Sequence, residues 1–157
     1  MAIYAKFKLG GTDIEGTAKN VEAAAGAGLT VPDLNGSTIL QSVSFGSALA
    51  GSGAGGQSYD IGCTKEIDQG TPKNMEALDN NQVVEGTIYL SRMAEGAAGT
   101  NEEGYMTVEL KDGRITSQQI AESGDGKGTE TLAIKYDTLD VTYKGGIAYQ
   151  LKWANRT

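Results

Sequence analysis

The alternation of apolar and polar residues along most of this chain is the feature that most constrains its fold. It begins at the N-terminus, where every second side chain from residue 3 to residue 9 is apolar: Ile3, Ala5, Phe7 and Leu9. A period of two places these side chains on one face of an extended strand and the intervening ones on the other. The pattern therefore predicts strands with one buried face.

The same alternation returns in segments separated by polar or glycine-rich residues. These segments are 39–45, 59–67, 84–90, 106–110, 132–136, 139–143 and 147–153. Residues 114–121 form a weaker candidate, because Ile115 and Ile120 have opposite parity. The parity also shifts after Tyr136, which predicts a bulge or tight turn near Asp137.

Only one short helix is well supported by the sequence. Thr71 suits the N-cap and Pro72 suits the first helical position. Met75 and Leu78 then fall on one helical face, and Asn80 with Asn81 ends the segment. Residues 21–27 (VEAAAGA) could form one helical turn, although glycines disfavour it.

The pattern of elements predicts one all-β domain spanning residues 1–157. About eight or nine short strands with a single helix are typical of a sandwich or a barrel. Two connections are long, at residues 10–36 and 46–57. The second reads GSALAGSGAGGQ, and its low complexity predicts a flexible loop.

The absence of histidine from the sequence excludes several classes of enzyme site. The chain cannot supply a Ser-His-Asp or Cys-His nucleophile, nor a zinc site built from Cys and His. The lone cysteine, Cys63, has apolar parity, which indicates a buried structural thiol. Gly51, Gly53 and Gly56 match G-x-G-x-x-G, but a strand rather than a helix follows them. We therefore expect no catalytic residue, no cofactor and no metal.

Charge and hydropathy restrict the possible partners. The formal net charge is −7, which argues against binding to a phosphate backbone. No apolar run approaches the roughly 18 residues of a membrane-spanning helix. The first residues alternate instead of forming an apolar stretch, so we expect no signal peptide. A single cysteine fits folding in a reducing compartment.

A nine-residue segment carries a resemblance to a known family. Thr64–Pro72, TKEIDQGTP, resembles the T-K-x-I-D-x-x-[ST]-P segment of the hemolysin-coregulated protein (Hcp) family of type VI secretion tube proteins. Supporting similarities lie at Ile14–Thr17, Ile115–Ser117 and Thr129–Leu132. The chain departs from the family pattern at Gly146-Ile147, where a Gly-Trp pair is usual, and in the longer segment 19–36.

The resemblance implies a fold of two sheets curled into a small β-barrel with one short α-helix on its side. It also implies a non-enzymatic subunit that forms hexameric rings, which stack into a tube and are exported. The implied partners are further copies of the chain, the sheath and spike of the secretion system, and small effector proteins held in the lumen. Neither nucleic acid nor membrane insertion is implied. The implied location is the bacterial cytoplasm, followed by secretion without a signal peptide.

Three alternatives stay open at the level of sequence. The first is a ring-shaped receptor or chaperone for secreted effectors that has no role in a tube. The second is a phage-type tail tube protein, and the third is an enzyme.

Two groups of residues are candidates for functional contacts. The loop at 46–57 is expected to touch the adjacent subunit or the next ring, through Ala48, Leu49, Gly51, Gly53 and Gly55. On the segment 38–45, the parity predicts that Ile39, Val43 and Phe45 face the core. The opposite parity belongs to Leu40, Ser42 and Ser44, and the resemblance implies that these residues face the lumen, with Ser44 in the place of the lumenal serine of the family.

Overall fold

The computed structural model describes residues 3–18, 23–25, 34–49, 56–58, 60–93 and 102–152. These ranges contain twelve strands and one helix. In chain order they are β1 (Ile3–Leu9), β2 (Thr12–Asp13), β3 (Ala23–Ala25), β4 (Thr38–Ser44), β5 (Ser47–Leu49), β6 (Gly56–Ser58), β7 (Ile61–Glu66), α1 (Thr71–Asp79), β8 (Val84–Met93), β9 (Glu102–Ala121), β10 (Thr129–Lys135), β11 (Thr138–Tyr143) and β12 (Ile147–Lys152).

Six strands close into a barrel, which confirms the predicted fold class. Their order is β10-β7-β4-β1-β8-β9, and pairing between β9 and β10 completes the circle. One long strand makes this closure possible. The first part of β9 pairs with β8 and β11, and its last part pairs with β10. Beyond the barrel, β11 and β12 extend the sheet from β9 as an antiparallel hairpin.

The junction between the two parts of β9 lies at Gly113. A Cβ atom at this position would lie 3.0 Å from the carbonyl oxygens of both Val84 and Lys135. Two neighbouring strands therefore approach the backbone here more closely than a side chain would comfortably allow.

The alternating residues fill the barrel as the sequence predicts. Ala5, Phe7 and Leu9 of β1 are at most 7% exposed. They pack in one cluster with the matching residues of the other strands, including Val84, Ile88, Val108, Leu110, Leu132, Ile134 and Leu139. Burying a large apolar side chain contributes about 1.5–3 kcal/mol, so this cluster is the main source of stability.

Strand β4 departs from the predicted parity. Leu40 is 3% exposed and belongs to the core, whereas Ile39 is 41% exposed. The register between β4 and β7 shifts between Leu40 and Ser42, which is the signature of a bulge at Gln41. The extra residue reverses the parity, so Val43 lies on the core side together with Leu40. The predictions that Leu40 faces a lumen and that Ile39 faces the core are therefore wrong.

Other apolar residues of core parity lie beyond the rim of the barrel. Ile67 is 41% exposed because β7 ends at Glu66, one residue earlier. On β12, Ile147 and Tyr149 are each 71% exposed, whereas Leu151 packs against the core. The alternation of apolar and polar residues continues in these segments, but no other strand of the barrel covers their exposed apolar side chains within the described residues. Tyr59 and Trp153 lie outside the described residues.

Helix α1 begins one residue earlier than the sequence predicts. Gly70 occupies the N-cap and Thr71 is the first helical residue, so the prediction of Thr71 as N-cap is wrong. The hydroxyl of Thr71 instead points into a buried cluster, described below. Met75 is 50% exposed, while Leu78 packs against the core. The predicted end of the helix at Asn80 is confirmed, since Asn80 is the C-cap.

Two connecting segments contain strands that the sequence analysis did not predict. Ala23–Ala25 pairs in parallel with the first residues of β9, so a helical turn at these residues is wrong. Ser47–Leu49 pairs with Gly56–Ser58 in a two-stranded sheet of its own. This β5–β6 hairpin gives structure to both ends of the segment that had been predicted to be a flexible loop.

Candidate functional site

The segment that carries the family resemblance lies at a buried ion pair. Lys65 Nζ is 2.7 Å from Glu130 Oε1, and the two side chains are 2% and 0% exposed. The two residues are direct partners across the β7–β10 ladder. Removing both charges from water is costly, so such a pair is tolerated only when further hydrogen bonds complete it.

Those further bonds are present on the Glu130 carboxylate. The hydroxyl of Thr71 donates to Oε1 at 3.0 Å, and the Asn74 amide reaches both oxygens at 3.4 and 3.3 Å. The Gln118 amide also donates to Oε2. One buried carboxylate thereby binds groups on α1, β7 and β9. Neither Asn74 nor Gln118 was predicted from the sequence, although Asn74 lies one helical turn from Thr71 on the same face.

Lys65 and Asp68 complete the cluster around the start of α1. Lys65 Nζ donates to Asp68 Oδ1 at 2.9 Å and to the carbonyl of Glu66 at 3.1 Å. Asp68 Oδ1 also accepts the Gly70 N–H at 2.8 Å, while the Asp68 N–H donates to the Thr71 hydroxyl at 3.1 Å. These bonds satisfy backbone groups at the entry to the helix, where intrahelical partners are lacking.

The buried cluster explains why the segment Thr64–Pro72 carries charged and hydroxyl side chains at these positions. Lys65 and Thr71 of that segment bind Glu130 of the similar segment at 129–132, and Asp68 binds Lys65. Together these residues fix α1 to the end of the barrel. Each charged or polar end has a partner, and Lys65, Thr71, Asn74 and Glu130 are buried. Its arrangement is that of a structural anchor, which we call the helix anchor (Lys65, Asp68, Thr71, Asn74, Gln118 and Glu130).

The outer surface of the barrel has two sides of different chemistry. On β4, β7, β10 and the last part of β9, the residues that alternate with the core are uncharged along the middle of the strands. We call this surface the neutral face, and its central residues are Ser42, Ser44, Gly62, Thr64, Ser117, Gln119, Thr131 and Ala133. Across the strands, Ser44 pairs with Gly62 and Thr64 pairs with Thr131. Charged residues of this outward parity occur toward the rims, at Glu66, Arg114 and Lys135.

The other side of the barrel, which we call the charged face, carries ionic side chains on β1, β8, β9 and β11. Lys111 lies 3.5 Å from Asp140 and 3.8 Å from Glu109, with side chains 30–50% exposed. An open cleft on this face is lined by both signs of charge, including Lys6, Lys8, Glu85 and Glu109. Exposed pairs of this kind contribute about 0–1 kcal/mol each.

The residues predicted to make functional contacts lie in three different environments. Ser42 and Ser44 are exposed on the neutral face, whereas Leu40 is in the core. Ala48 and Leu49 lie in β5 of the β5–β6 hairpin. The remaining candidates, Gly51, Gly53 and Gly55, lie outside the described residues.

Cys63 is buried in the barrel, as its parity predicts. Its side chain is 1% exposed, and burial raises the pKa of the thiol to about 12. The thiol is therefore protonated at neutral pH and poorly suited to act as a nucleophile. Among the residues that the structure describes, no three His, Cys, Asp or Glu side chains are grouped to hold a metal. No helix within those residues is long and apolar enough to cross a bilayer.

Comparisons with solved structures show the same fold in several proteins. A mutant form of the Hcp1 protein from E. coli EAEC 042 has a TM-score of 0.78 at 19% identity, covering 98% of this chain and 99% of that one. Hcp3 from Pseudomonas aeruginosa gives 0.75 at 16% identity, with 96% and 99% coverage. A type VI secretion system effector from Yersinia pestis gives 0.69 at 16% identity, with 94% and 98% coverage.

The sequence itself also matches a family profile. No curated protein matches the chain significantly. The profile described as "Type VI secretion system effector, Hcp" matches residues 29–143, which is well over half of the chain and includes the whole helix anchor. The chain therefore belongs to the Hcp family of type VI secretion proteins, whose tube-type fold it shares.

Proposed function

We propose that this protein is the structural subunit of a type VI secretion tube, in which six copies close into a ring and rings stack. In this proposal the rings are exported with the tube, the lumen carries small effector proteins, and the sheath and spike are the other partners. The same proposal assigns the chain to the bacterial cytoplasm before secretion and gives it no enzymatic activity. Family membership supports the type VI context.

The observation that carries the proposal is the exposed apolar edge of the sheet. Among the strands that the structure describes, β12 pairs only with β11, and its Ile147 and Tyr149 side chains are each 71% exposed. An edge strand offers unpaired backbone groups, and an apolar one is an aggregation hazard unless a partner covers it. A neighbouring copy in a ring would supply that cover.

The neutral face supports the role of the lumen. The centre of this wall consists of Ser, Thr, Gly and Ala residues with one glutamine, Gln119, so it has no charge to hold a passing protein strongly and few long side chains to obstruct it. The charged face lies on the opposite side of the barrel, where ionic groups can remain hydrated on the outside of a tube. We therefore place Ser42 and Ser44 toward the lumen.

The β5–β6 hairpin supports the stacking of rings. Its two strands bond to each other and form a sheet separate from the barrel. In our proposal this hairpin, with Ala48, Leu49 and the connecting Gly51, Gly53 and Gly55, contacts an adjacent subunit or the next ring.

The mass of the assembly tests the proposal. Native mass spectrometry at tens of micromolar should give a species of six times the 16.3 kDa chain mass. The double variant Ile147→Ser with Tyr149→Ser should remain folded but lose this species, because it removes the apolar edge. The control is Ile39→Ser, another exposed apolar residue on a different strand, which should keep the ring. A wild-type protein that stays monomeric would refute the proposal.

A further inference from the structure

Two exposed apolar patches lie at different ends of the molecule. The hairpin patch consists of Ile147 and Tyr149, each 71% exposed on β12. This patch lies beside the first residues of β9, because Met106 pairs with Tyr143 and Tyr143 pairs with Ile147. The hairpin patch therefore belongs to the early end of β9.

The helix-end patch consists of Ile67, Met75 and Ile120, which are 41%, 50% and 43% exposed. Ile120 is near the last residue of β9 and lies two positions after Gln118. The Gln118 amide donates to the carbonyl of Thr71 at 3.3 Å, and Met75 follows Thr71 by one helical turn. The helix-end patch therefore belongs to the late end of β9, beside the helix anchor.

The surroundings of the two patches carry opposite charge. The turn of the β11–β12 hairpin holds Lys144 next to Ile147, and Lys152 closes β12. The acid of this hairpin, Asp140, is paired with Lys111. Arg92, which donates to the Tyr143 hydroxyl at 3.2 Å, lies opposite Glu103 across the β8–β9 ladder, so the excess positive charge here belongs to Lys144 and Lys152.

At the other end the acidic flanking residues outnumber the basic ones, since Lys127, which precedes Gly128, is accompanied by Asp125. Glu66 is exposed and directly precedes Ile67. A Cβ atom on Gly128 would lie 2.8 Å from Glu122 Oε2 and would also strike the side chain of Ile67. The side chains of Glu122 and Ile67 therefore both lie next to the backbone of Gly128. The cation on α1, Lys73, lies 3.8 Å from Glu76.

From these features we infer that the hairpin patch of one copy docks on the helix-end patch of the next copy. The two patches differ in composition and in the sign of their flanking charge, so neither is complementary to itself. A contact between two different patches is heterologous, and repetition of such a contact closes a ring or extends a filament. The inference rests on the proposed ring and adds to it the surfaces that meet and the direction of the contact.

A charge exchange tests the pairing. The hairpin variant carries Lys144→Glu and Lys152→Glu, and the helix-end variant carries Glu66→Lys and Glu122→Lys. Each variant alone brings like charges together at every junction, which opposes association. We expect the concentration at half-assembly to rise by about tenfold or more in each case. Circular dichroism should remain β-rich, because all four substitutions are at the surface.

Mixing the two variants gives the decisive result. In a head-to-tail ring of alternating copies, every junction again joins opposite charges. An equimolar mixture should therefore recover the wild-type mass, with both variants in equal number. The control is a pair of reversals on the charged face, Lys6→Glu and Lys8→Glu, which should leave assembly unchanged.

Three outcomes would overturn the inferred contact without bearing on whether the protein forms a ring. Wild-type assembly by either variant alone would show that these surfaces are not the contact. Folded, defective variants that do not reassemble on mixing would show that the two patches do not meet. A mixture that stops at a heterodimer would indicate contact between like patches. A monomeric wild-type protein would instead refute the proposed ring.

Discussion

Lys65 and Glu130 are direct neighbours across the β7–β10 ladder, and their charged groups meet 2.7 Å apart inside the protein. The pair has two roles in the fold. It joins two strands of the barrel, and through Thr71 and Asn74 it holds the first turn of α1. The helix-end patch includes Met75 of the same helix, so the helix anchor also positions part of the surface that we assign to the ring contact.

The first prediction concerns the loss of one partner from this pair. Lys65→Met should lower the free energy of unfolding by about 3–5 kcal/mol, because it leaves the Glu130 carboxylate buried without its cation. Urea denaturation at fixed protein concentration measures the change. Lys73→Met, which breaks the exposed pair with Glu76, is the matched control and should cost about 0–1 kcal/mol. Equal effects of the two substitutions would show that the anchor does not contribute as argued.

The second prediction concerns pH and Cys63. Burial raises the pKa of the thiol from 9.0 to about 12. Above pH 9 the unfolded chain loses its thiol proton while the folded chain keeps it, so stability falls between pH 9 and 12. The slope of this contribution approaches about 1.4 kcal/mol per pH unit.

Comparison with Cys63→Ala isolates this contribution, because lysines and tyrosines titrate in both proteins. The stability advantage of the wild type over Cys63→Ala should shrink as the pH rises from 9 to 11. Urea midpoints measured at each pH provide the difference. A constant difference across this range would mean that the thiol ionises equally well in the folded protein.

The third prediction compares two glycines on different strands of the barrel, Gly86 on β8 and Gly62 on β7. A Cβ atom at Gly86 would lie 2.9 Å from Phe7 Cα and closer still to the Lys6 carbonyl oxygen, so the backbone of β1 would have to move. At Gly62 the added atom meets the Ser44 hydroxyl, at 2.8 Å, and a change of rotamer can relieve that contact. Gly86→Ala should therefore cost at least about 1–3 kcal/mol, and Gly62→Ala less than 1 kcal/mol. Thermal or urea unfolding measures both, and the reverse order would contradict the packing described here.

The fourth prediction compares arginine substitutions at two residues of β4, Ser44 on the neutral face and Leu40 in the core. Ser44→Arg should leave the melting temperature and the ring mass nearly unchanged, because Ser44 is exposed. It should reduce the retention of a lumenal effector in a co-purification assay, since it adds charge and bulk to the proposed wall. Leu40→Arg should unfold the protein, because it places a charge in the core.

A control on the opposite side makes the Ser44 test specific. Glu85→Arg alters an exposed residue of the charged face and should leave effector retention unchanged. Normal retention with Ser44→Arg would refute the lumenal role of Ser44. A collapse of the fold with that substitution would refute its placement on the surface.

The fifth prediction concerns the β5–β6 hairpin. Deletion of residues 48–55 should preserve the β-rich circular dichroism spectrum, because the hairpin forms a sheet separate from the barrel. It should weaken stacking or ring closure, which sedimentation and electron microscopy can distinguish. Assembly identical to that of the full chain would argue against a contact role for the hairpin.

Much of the fold could be predicted from the sequence because alternation is a local property. The period of two on β1, β8 and β10 assigns their core faces correctly, including Phe7, Ile88 and Leu132. The absence of histidine can likewise be read directly from the sequence. It excludes catalytic sites that use histidine, such as Ser-His-Asp and Cys-His sites. The family segment could also be recognised from its residues, although its chemical purpose could not.

Strand pairing decided what alternation could not. One bulge on β4 exchanges the faces of Ile39 and Leu40, and a bulge is set by the register with β7 rather than by the composition of β4. The partner of Lys65 is 65 positions away, so the charge that neutralises it becomes visible only when β7 and β10 are adjacent. Ile147 and Tyr149 have the parity of core residues, but they are exposed because the sheet extends past the barrel at β12. A residue's parity depends on its own strand, whereas its burial depends on which strands surround it, and only the tertiary structure fixes the latter.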